Sequence, residues 1–190
     1  MPLKSTYDEL HRTRKWAYGE QPDRQLEDVL VGQGAGRAVD LGGGQGRHAL
    51  YLAGLGYEVE LVDLSDEALL QASRAAEDRG LQLRAVRANV AFYEPPPGLD
   101  VVVAALLFHV PARHASMAAA ERLGSAMNPG ALLYVSLPGF DEATRALTAE
   151  LFTAAGCDDV RVFRHVVTPE ERPRLPVARR NEIRAVGFRA

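Results

Sequence analysis

A chain of 190 residues, 47% hydrophobic and 25% charged, has the length of one globular domain and enough apolar residues to build its core. Its formal net charge of -3 offers no basic field for a nucleic-acid backbone, and a single cysteine, Cys157, excludes an internal disulfide. The stretch 1–14 is polar and lacks an apolar signal core, and no apolar run approaches bilayer length. The expected setting is therefore the cytoplasm, with neither membrane nor nucleic acid as partner.

Residues 1–34 are polar, with aromatics at Tyr7, Trp16 and Tyr18, and run into the glycine-rich stretch 32–36. They are expected to form a helical cap segment ahead of one domain over 35–190. Residues 38–41 read as a short apolar strand stopped by glycines, and 47–55 have helical spacing closed by Gly56. Residues 58–63 alternate as a strand ending on an acid. Ser65 then caps a helix that carries Asp66 and Glu67 in its first turn and stops at Gly80. A third strand is expected at 83–88. After Pro95-Pro96-Pro97-Gly98, the nearly continuous apolar run 99–107 has the pattern of a central strand buried on both faces. A helix around 115–127, the turn Asn128-Pro129-Gly130, a strand at 131–137, a helix at 141–155 and strands near 160–165 and 181–187 complete the chain. Alternating strands and helices predict an α/β fold: a doubly wound, mostly parallel sheet of seven strands with right-handed crossovers. The last two strands are joined by the Pro-containing loop 167–179 without a helix, which predicts an antiparallel pair at the sheet edge. The Arg-rich part of that loop, 172–180, reads as solvated. On such sheets ligands bind at the carboxyl ends of the strands, near the switch point.

The most informative segment is Val39-Asp40-Leu41-Gly42-Gly43-Gly44-Gln45-Gly46-Arg47-His48. Its glycines let the chain turn sharply and let a ligand approach without a Cβ in the way, and the following helix aims free N–H groups at that ligand. As a dinucleotide fingerprint, Gly44-x-Gly46-x-x-Ala49 followed by Asp63 fits, and it implies a nicotinamide-dependent oxidoreductase. Charge argues against it: a carboxylate on Asp40 beside a pyrophosphate costs roughly 4 kcal/mol for unit charges about 4 Å apart near a surface. S-adenosylmethionine, with its ammonium, its sulfonium and no phosphate, suits Asp40, while Asp63 at the next strand end can accept both ribose hydroxyls.

The stretch from Ala38 to Ser65 resembles class I S-adenosylmethionine-dependent methyltransferases, and more closely the branch holding the tellurite-resistance and thiopurine methyltransferases. In that branch a Gly-Arg-x-x-x-Tyr-Leu-Ala helix follows the loop, matched here from Gly46 through Arg47 to Ala53. The family often has Cys where this chain has Gly43, a change expected to alter packing more than chemistry. It often has Asp, bonding the adenine amino group, where this chain has Asn89. The resemblance implies a cofactor set of Asp40, Gly42, Gly43, Gly44, Gly46 and Arg47 around the loop, then Asp63 and Leu64 after the second strand. Asn89 and Val90 follow the third strand, Leu106 the fourth, and Tyr18 comes from the cap segment, whose relatives close over the cofactor. Arg47 is read as holding the cofactor carboxylate or the cap segment, with an exposed helix arginine as the competing role.

The resulting expectation is an enzyme that transfers methyl from S-adenosylmethionine to a small molecule by in-line displacement, leaving S-adenosylhomocysteine. Positioning supplies much of the rate, and a base is needed only for a nucleophile that carries a proton. His109, just past the fourth strand, is the candidate catalytic base, with helix capping or packing as the competing role. His11, His48, His114 and His165 read as structural, Trp16 as packing and Cys157 as a semi-buried filler. No metal site is expected. A non-catalytic S-adenosylmethionine-binding module is the alternative from another class.

Overall fold

The computed structural model of the chain describes residues 3–32, 34–167 and 181–190; the expected solvated loop at 172–180 lies outside the described residues. Two helices, α1 (Leu3–Thr13) and α2 (Arg24–Leu30), precede β1 (Arg37–Leu41). Strand and helix then alternate through α3 (Arg47–Gly54), β2 (Glu58–Asp63), α4 (Asp66–Asp78), β3 (Arg84–Arg87), a 3-10 turn at Val90–Phe92 and β4 (Leu99–Ala105). They continue through α5 (Arg113–Ala126), β5 (Met127–Pro138) and α6 (Glu142–Ala154) to β6 (Cys157–Val166) and β7 (Asn181–Arg189). One seven-stranded sheet results, in the order β3-β2-β1-β4-β5-β7-β6. Strands β1 to β5 pair in parallel, and β7 is antiparallel to both β5 and β6. The antiparallel pair expected at the edge is thus β7 with β6 outermost.

Local chemistry sets the boundaries. Ser65 accepts the Ala68 N–H at 3.1 Å and starts α4, and Asp141 accepts the Thr144 N–H at 2.8 Å and starts α6. The Asn128-Pro129-Gly130 turn does not precede β5 as expected but lies within it. The pairing jumps from Leu99 opposite Met127 to Val101 opposite Leu132, and the extra residues form an exposed bulge that accommodates a proline without an N–H.

Along β4 the side chains alternate between two helical layers. Val102 and Ala104 pack with Leu123 and Phe152 on the α5–α6 side, while Val101 and Val103 pack with Leu26, Leu30 and Leu52 on the α2–α3 side. Gly124 marks where α5 meets the end of α6: a Cβ there would stand 2.1 Å from the Ala155 carbonyl oxygen. Gly124→Ala is therefore expected to destabilise the fold by about 2 kcal/mol, although alanine is the better helix former by about 1 kcal/mol. Urea unfolding checks this; a stabilised variant would show that the two helices are not in close backbone contact. Among the described residues no helix is long and apolar enough to cross a membrane.

Candidate active site

The sheet order reverses at β1, and a cavity of about 360 Å³ opens above the carboxyl ends of β1 and β4, within the range of small-molecule sites, about 300–1,000 Å³. Gly42, Gly43 and Gly44 form its floor, Asp63 and Leu64 one side, and Asn89 and Val90 the end beyond them. On the other side of the loop stand Leu106, Leu107 and the start of α5, and α1 with the turn after it contributes Tyr7, His11 and Tyr18.

The loop has little freedom. Gly42 and Gly44 have φ of +62° and +55°, and a Cβ on Gly42 would meet Leu107 at 2.7 Å. Asp63 holds the loop from the next strand: Oδ2 accepts the Gly44 N–H at 2.9 Å and Oδ1 accepts the Ser65 N–H at 2.9 Å. Each oxygen keeps a lone pair, and the carboxylate lines the cavity. Asn89 also lines it, its Oδ1 accepting the Ala91 N–H at 3.0 Å. Leu106, at the end of β4, has φ of +54°, a conformation a leucine adopts only under constraint, and its N–H is fixed by the Ser136 carbonyl at 2.9 Å and Ser136 Oγ at 3.1 Å.

Two loop residues expected to touch the ligand do not line the cavity. Gly46 is the N-cap of α3, at φ +84°, packed against α4, where a Cβ would approach Ala72 at 3.0 Å. Asp40 lies beneath the loop, fully buried, with Oδ2 accepting the Ala49 N–H at 3.0 Å. Burial, reinforced by Asp63 and Asp23 and opposed by that hydrogen bond and Arg47, raises its pKa to about 7. The charge argument drawn from the sequence is thereby corrected: Asp40 is only partly ionised at neutral pH and is turned toward α3. Above pH 7 the fold must bury this charge, so Asp40→Asn is expected to stabilise the protein at pH 8 by on the order of 2 kcal/mol more than at pH 5. Thermal melts at the two pH values test this, and an equal gain at both would place the Asp40 pKa elsewhere.

The segment ahead of β1 is tied down by α4. Asp8 Oδ1 accepts the Ser65 Oγ–H at 2.7 Å, Lys4 pairs with Asp66 at 2.8 Å, and Gln71 donates to the His11 carbonyl at 3.0 Å. Gln45 joins the turn to the loop by accepting the Ala17 N–H at 2.6 Å and donating to the Arg14 carbonyl at 3.0 Å. Arg79 stacks over the Trp16 ring at 5.7 Å. Tyr18 lines the cavity.

The histidines are reassigned. Phe108 takes the buried place in the turn after β4, leaving His109 exposed and off the cavity wall. His11, read from sequence as structural, lines the cavity at 2% exposure, close over Gly44, between Tyr7 and Tyr18, and its Nδ1 has no hydrogen-bond partner among the described residues. Burial lowers its pKa against the pull of Asp63, so it is neutral. His48 also lines the cavity but is locked: its Nε2 accepts the Asp23 N–H at 3.3 Å, and burial beside Arg47 lowers its pKa to about 4. The 3.5 Å approach of Nε2 to Asp23 Oδ2 therefore has no proton to share.

Asp23 was not singled out from the sequence, yet it centres a buried cluster. Its Oδ1 meets Arg47 Nη1 at 2.8 Å and Arg184 Nη2 at 3.2 Å, and its Oδ2 accepts the Tyr134 hydroxyl at 2.7 Å. Glu182 Oε2 lies 3.5 Å from the same Arg184 nitrogen. Burial alone would raise the Asp23 pKa; Arg47, His48 and Arg184 overcome it and hold the carboxyl well below its usual range. Glu182, with less compensation, is shifted upward by burial. Arg47 forms part of the cavity wall. No group of metal-ligating side chains occurs among the described residues.

Residues 38–130 match the methyltransferase domain family. A trans-aconitate 2-methyltransferase of Sinorhizobium fredii is 33% identical over 157 residues, covering 80% of this chain and 59% of that protein. The chain spans 44–59% of the length of the curated relatives it matches. Among solved structures, the 1,6-didemethyltoxoflavin-N1-methyltransferase of Burkholderia thailandensis, with S-adenosylhomocysteine bound, superposes with a TM-score of 0.74 at 20% identity, over 99% of this chain and 87% of that one. TehB of Haemophilus influenzae superposes with a TM-score of 0.70 at 15% identity, over 89% of this chain and 63% of that one, a likeness of fold only. The seven-stranded sheet and the glycine loop after β1 give the chain the class I methyltransferase fold, and its residues 38–130 are similar to the methyltransferase domain family.

Proposed function

We propose that the chain transfers a methyl group from S-adenosylmethionine to a small-molecule acceptor in the cytoplasm. The observation that carries this is Asp63: a strand-end carboxylate facing the cavity, bonded to the glycine loop, with one lone pair on each oxygen left for a pair of ribose hydroxyls. The glycine cradle fits the same ligand, since a Cβ on Gly42 would invade Leu107 and one on Gly44 would close toward His11. When bound, S-adenosylmethionine supplies a methyl group already activated on sulfur. The residues of this chain bind and orient: Asp63 and Leu64 at the ribose, Asn89 and Val90 at the adenine, the loop and Leu106 at the methionine end. Tyr18 and the rest of segment 1–34 cover the domain of 35–190 and exclude water. A net charge of -3 supports a small acceptor over a nucleic acid. A tellurite-resistance type of acceptor, a soft anion that reacts without a base, is one finer alternative, supported by the Gly46–Ala53 segment.

A thermal-shift titration with S-adenosylhomocysteine beside NADH tests the reading. A ligand at about 100 times its dissociation constant adds about 2.7 kcal/mol, a clear rise in melting temperature. Stabilisation by NADH alone would overturn it. Binding without S-adenosylhomocysteine formation from any member of a broad nucleophile panel would leave a sensor in place of an enzyme.

A further inference from the structure

The acceptor end of the cavity combines an apolar wall with one buried cation. Beyond the glycine loop the wall is Ala105, Leu106, Leu107, Val110 and Ala115. Arg47 crosses from the start of α3 toward β5 and β7, as its bond to Asp23 shows, for Asp23 is held by Tyr134 of β5 and Arg184 of β7. The guanidinium therefore stands on the β4–β5 side of the switch point, away from Asp63 and Asn89. Only Nη1 is engaged. Nε and Nη2 have no partner among the described residues, and Arg47 lines the cavity.

A second observation is independent of the first: among the described residues no base serves that end. His48 is neutral with its Nε2 lone pair occupied, His109 is off the wall, and His11 sits over Gly44 in the field of Asp63, Asp8 and Glu67. An acceptor suited to this site must arrive already deprotonated at neutral pH and must bring a negative charge that a planar guanidinium recognises.

Resting on the methyl-transfer reading above, we propose that the acceptor is a small carboxylic acid, gripped by Arg47 and methylated on a carboxylate oxygen. A lone pair of that oxygen forms the O–CH3 bond while the CH3–S bond breaks and its electron pair passes to sulfur, giving a methyl ester and a thioether with no proton moved. The fork of Nε and Nη2 matches a carboxylate in a way that a single soft anionic atom cannot. Esterification removes the charge that Arg47 holds, so the product leaves more readily than the substrate.

The test pairs acids with their amides. Protein saturated with S-adenosylhomocysteine is titrated with small mono-, di- and tricarboxylic acids, each beside its amide, and with thiols and phenols. At least one acid is expected to raise the melting temperature where its amide does not. With S-adenosylmethionine that acid is expected to become a product that releases methanol in mild alkali. Arg47→Gln is expected to weaken acid binding by at least about tenfold while S-adenosylhomocysteine affinity stays within about threefold, with Arg47→Lys intermediate. If Arg47→Gln fails to fold, the acid–amide comparison on the unaltered chain decides alone. Amides binding as well as acids, or methylation of thiols or phenols only, overturns the proposal while leaving methyl transfer standing. An equal loss of S-adenosylhomocysteine affinity in Arg47→Gln moves Arg47 to the cofactor and also overturns it. Failure of the unaltered chain to bind S-adenosylhomocysteine brings down both readings.

Discussion

Asp63→Ala is expected to weaken S-adenosylhomocysteine binding by at least about a hundredfold. Two charge-assisted hydrogen bonds to the ribose hydroxyls are each worth about 1.5–3 kcal/mol, and both disappear together. The truncation also releases the Gly44 and Ser65 N–H groups, so the loop that forms the cavity floor loses its tether. Asp63→Asn keeps one acceptor oxygen and the shape, and a loss of about tenfold is expected. Calorimetric titration of the two variants reads both numbers. Affinity unchanged in Asp63→Ala would remove this residue from the site and with it the main support for the proposed cofactor.

The second large effect is on stability. Asp23→Ala leaves Arg47, Arg184 and the Tyr134 hydroxyl buried without their shared partner, and removing one member of a buried ion pair costs about 3–5 kcal/mol. Because the folded pKa of Asp23 lies well below its unfolded value, its contribution is complete above the unfolded pKa and fades only as pH falls through the folded one. The loss in Asp23→Ala should therefore change between pH 6 and pH 8 only through Asp40, whose pKa Asp23 helps to raise, and should be slightly smaller at pH 8 in urea titrations. A cost under about 1 kcal/mol would mean that water or rearrangement satisfies the two arginines.

The framework was legible because it is written in local periodicities. The strand at 58–63, the Ser65 cap and the apolar run from Leu99 each depend on neighbours within a few residues, and each appears where the pattern puts it. The Asn128-Pro129-Gly130 segment misled, since a bulge and a turn ask for the same residues and only the partner strand distinguishes them. The cavity lining was legible where side chains follow strand ends: Asp63, Leu64, Asn89 and Leu106 all line the cavity. It was illegible where function depends on distant pairings. Asp23 carries no motif; its partners lie 24, 111 and 161 positions along the chain, and no spacing announces them. His11 looked like any helical histidine until α1 folded back over Gly44. Asp40 was identified but misjudged, because a strand-end position does not reveal whether the carboxylate points over the loop or under it. Gly43 shows the same limit: a Cβ there would stand 2.5 Å from that carboxylate and 2.3 Å from Leu61, so any side chain at this position must displace one of them.

The two oppositely shifted groups near the loop have a joint consequence. Asp40 keeps its proton up to about pH 7, whereas an unfolded aspartate releases it near pH 4; His48 refuses a proton down to about pH 4, whereas an unfolded histidine takes one near pH 6.5. Between those limits the native and unfolded chains hold the same number of protons on this pair, placed on different atoms. Folding thus performs an internal proton transfer from imidazole to carboxylate. Taken alone, Asp40 makes stability fall as pH rises from about 4 to 7, and His48 makes it rise from about 4 to 6.5. Their two contributions almost cancel through mildly acidic solution. Asp40→Asn should expose the upward slope of His48, and His48→Gln the downward slope of Asp40, so each single variant should depend on pH more steeply than the pair does.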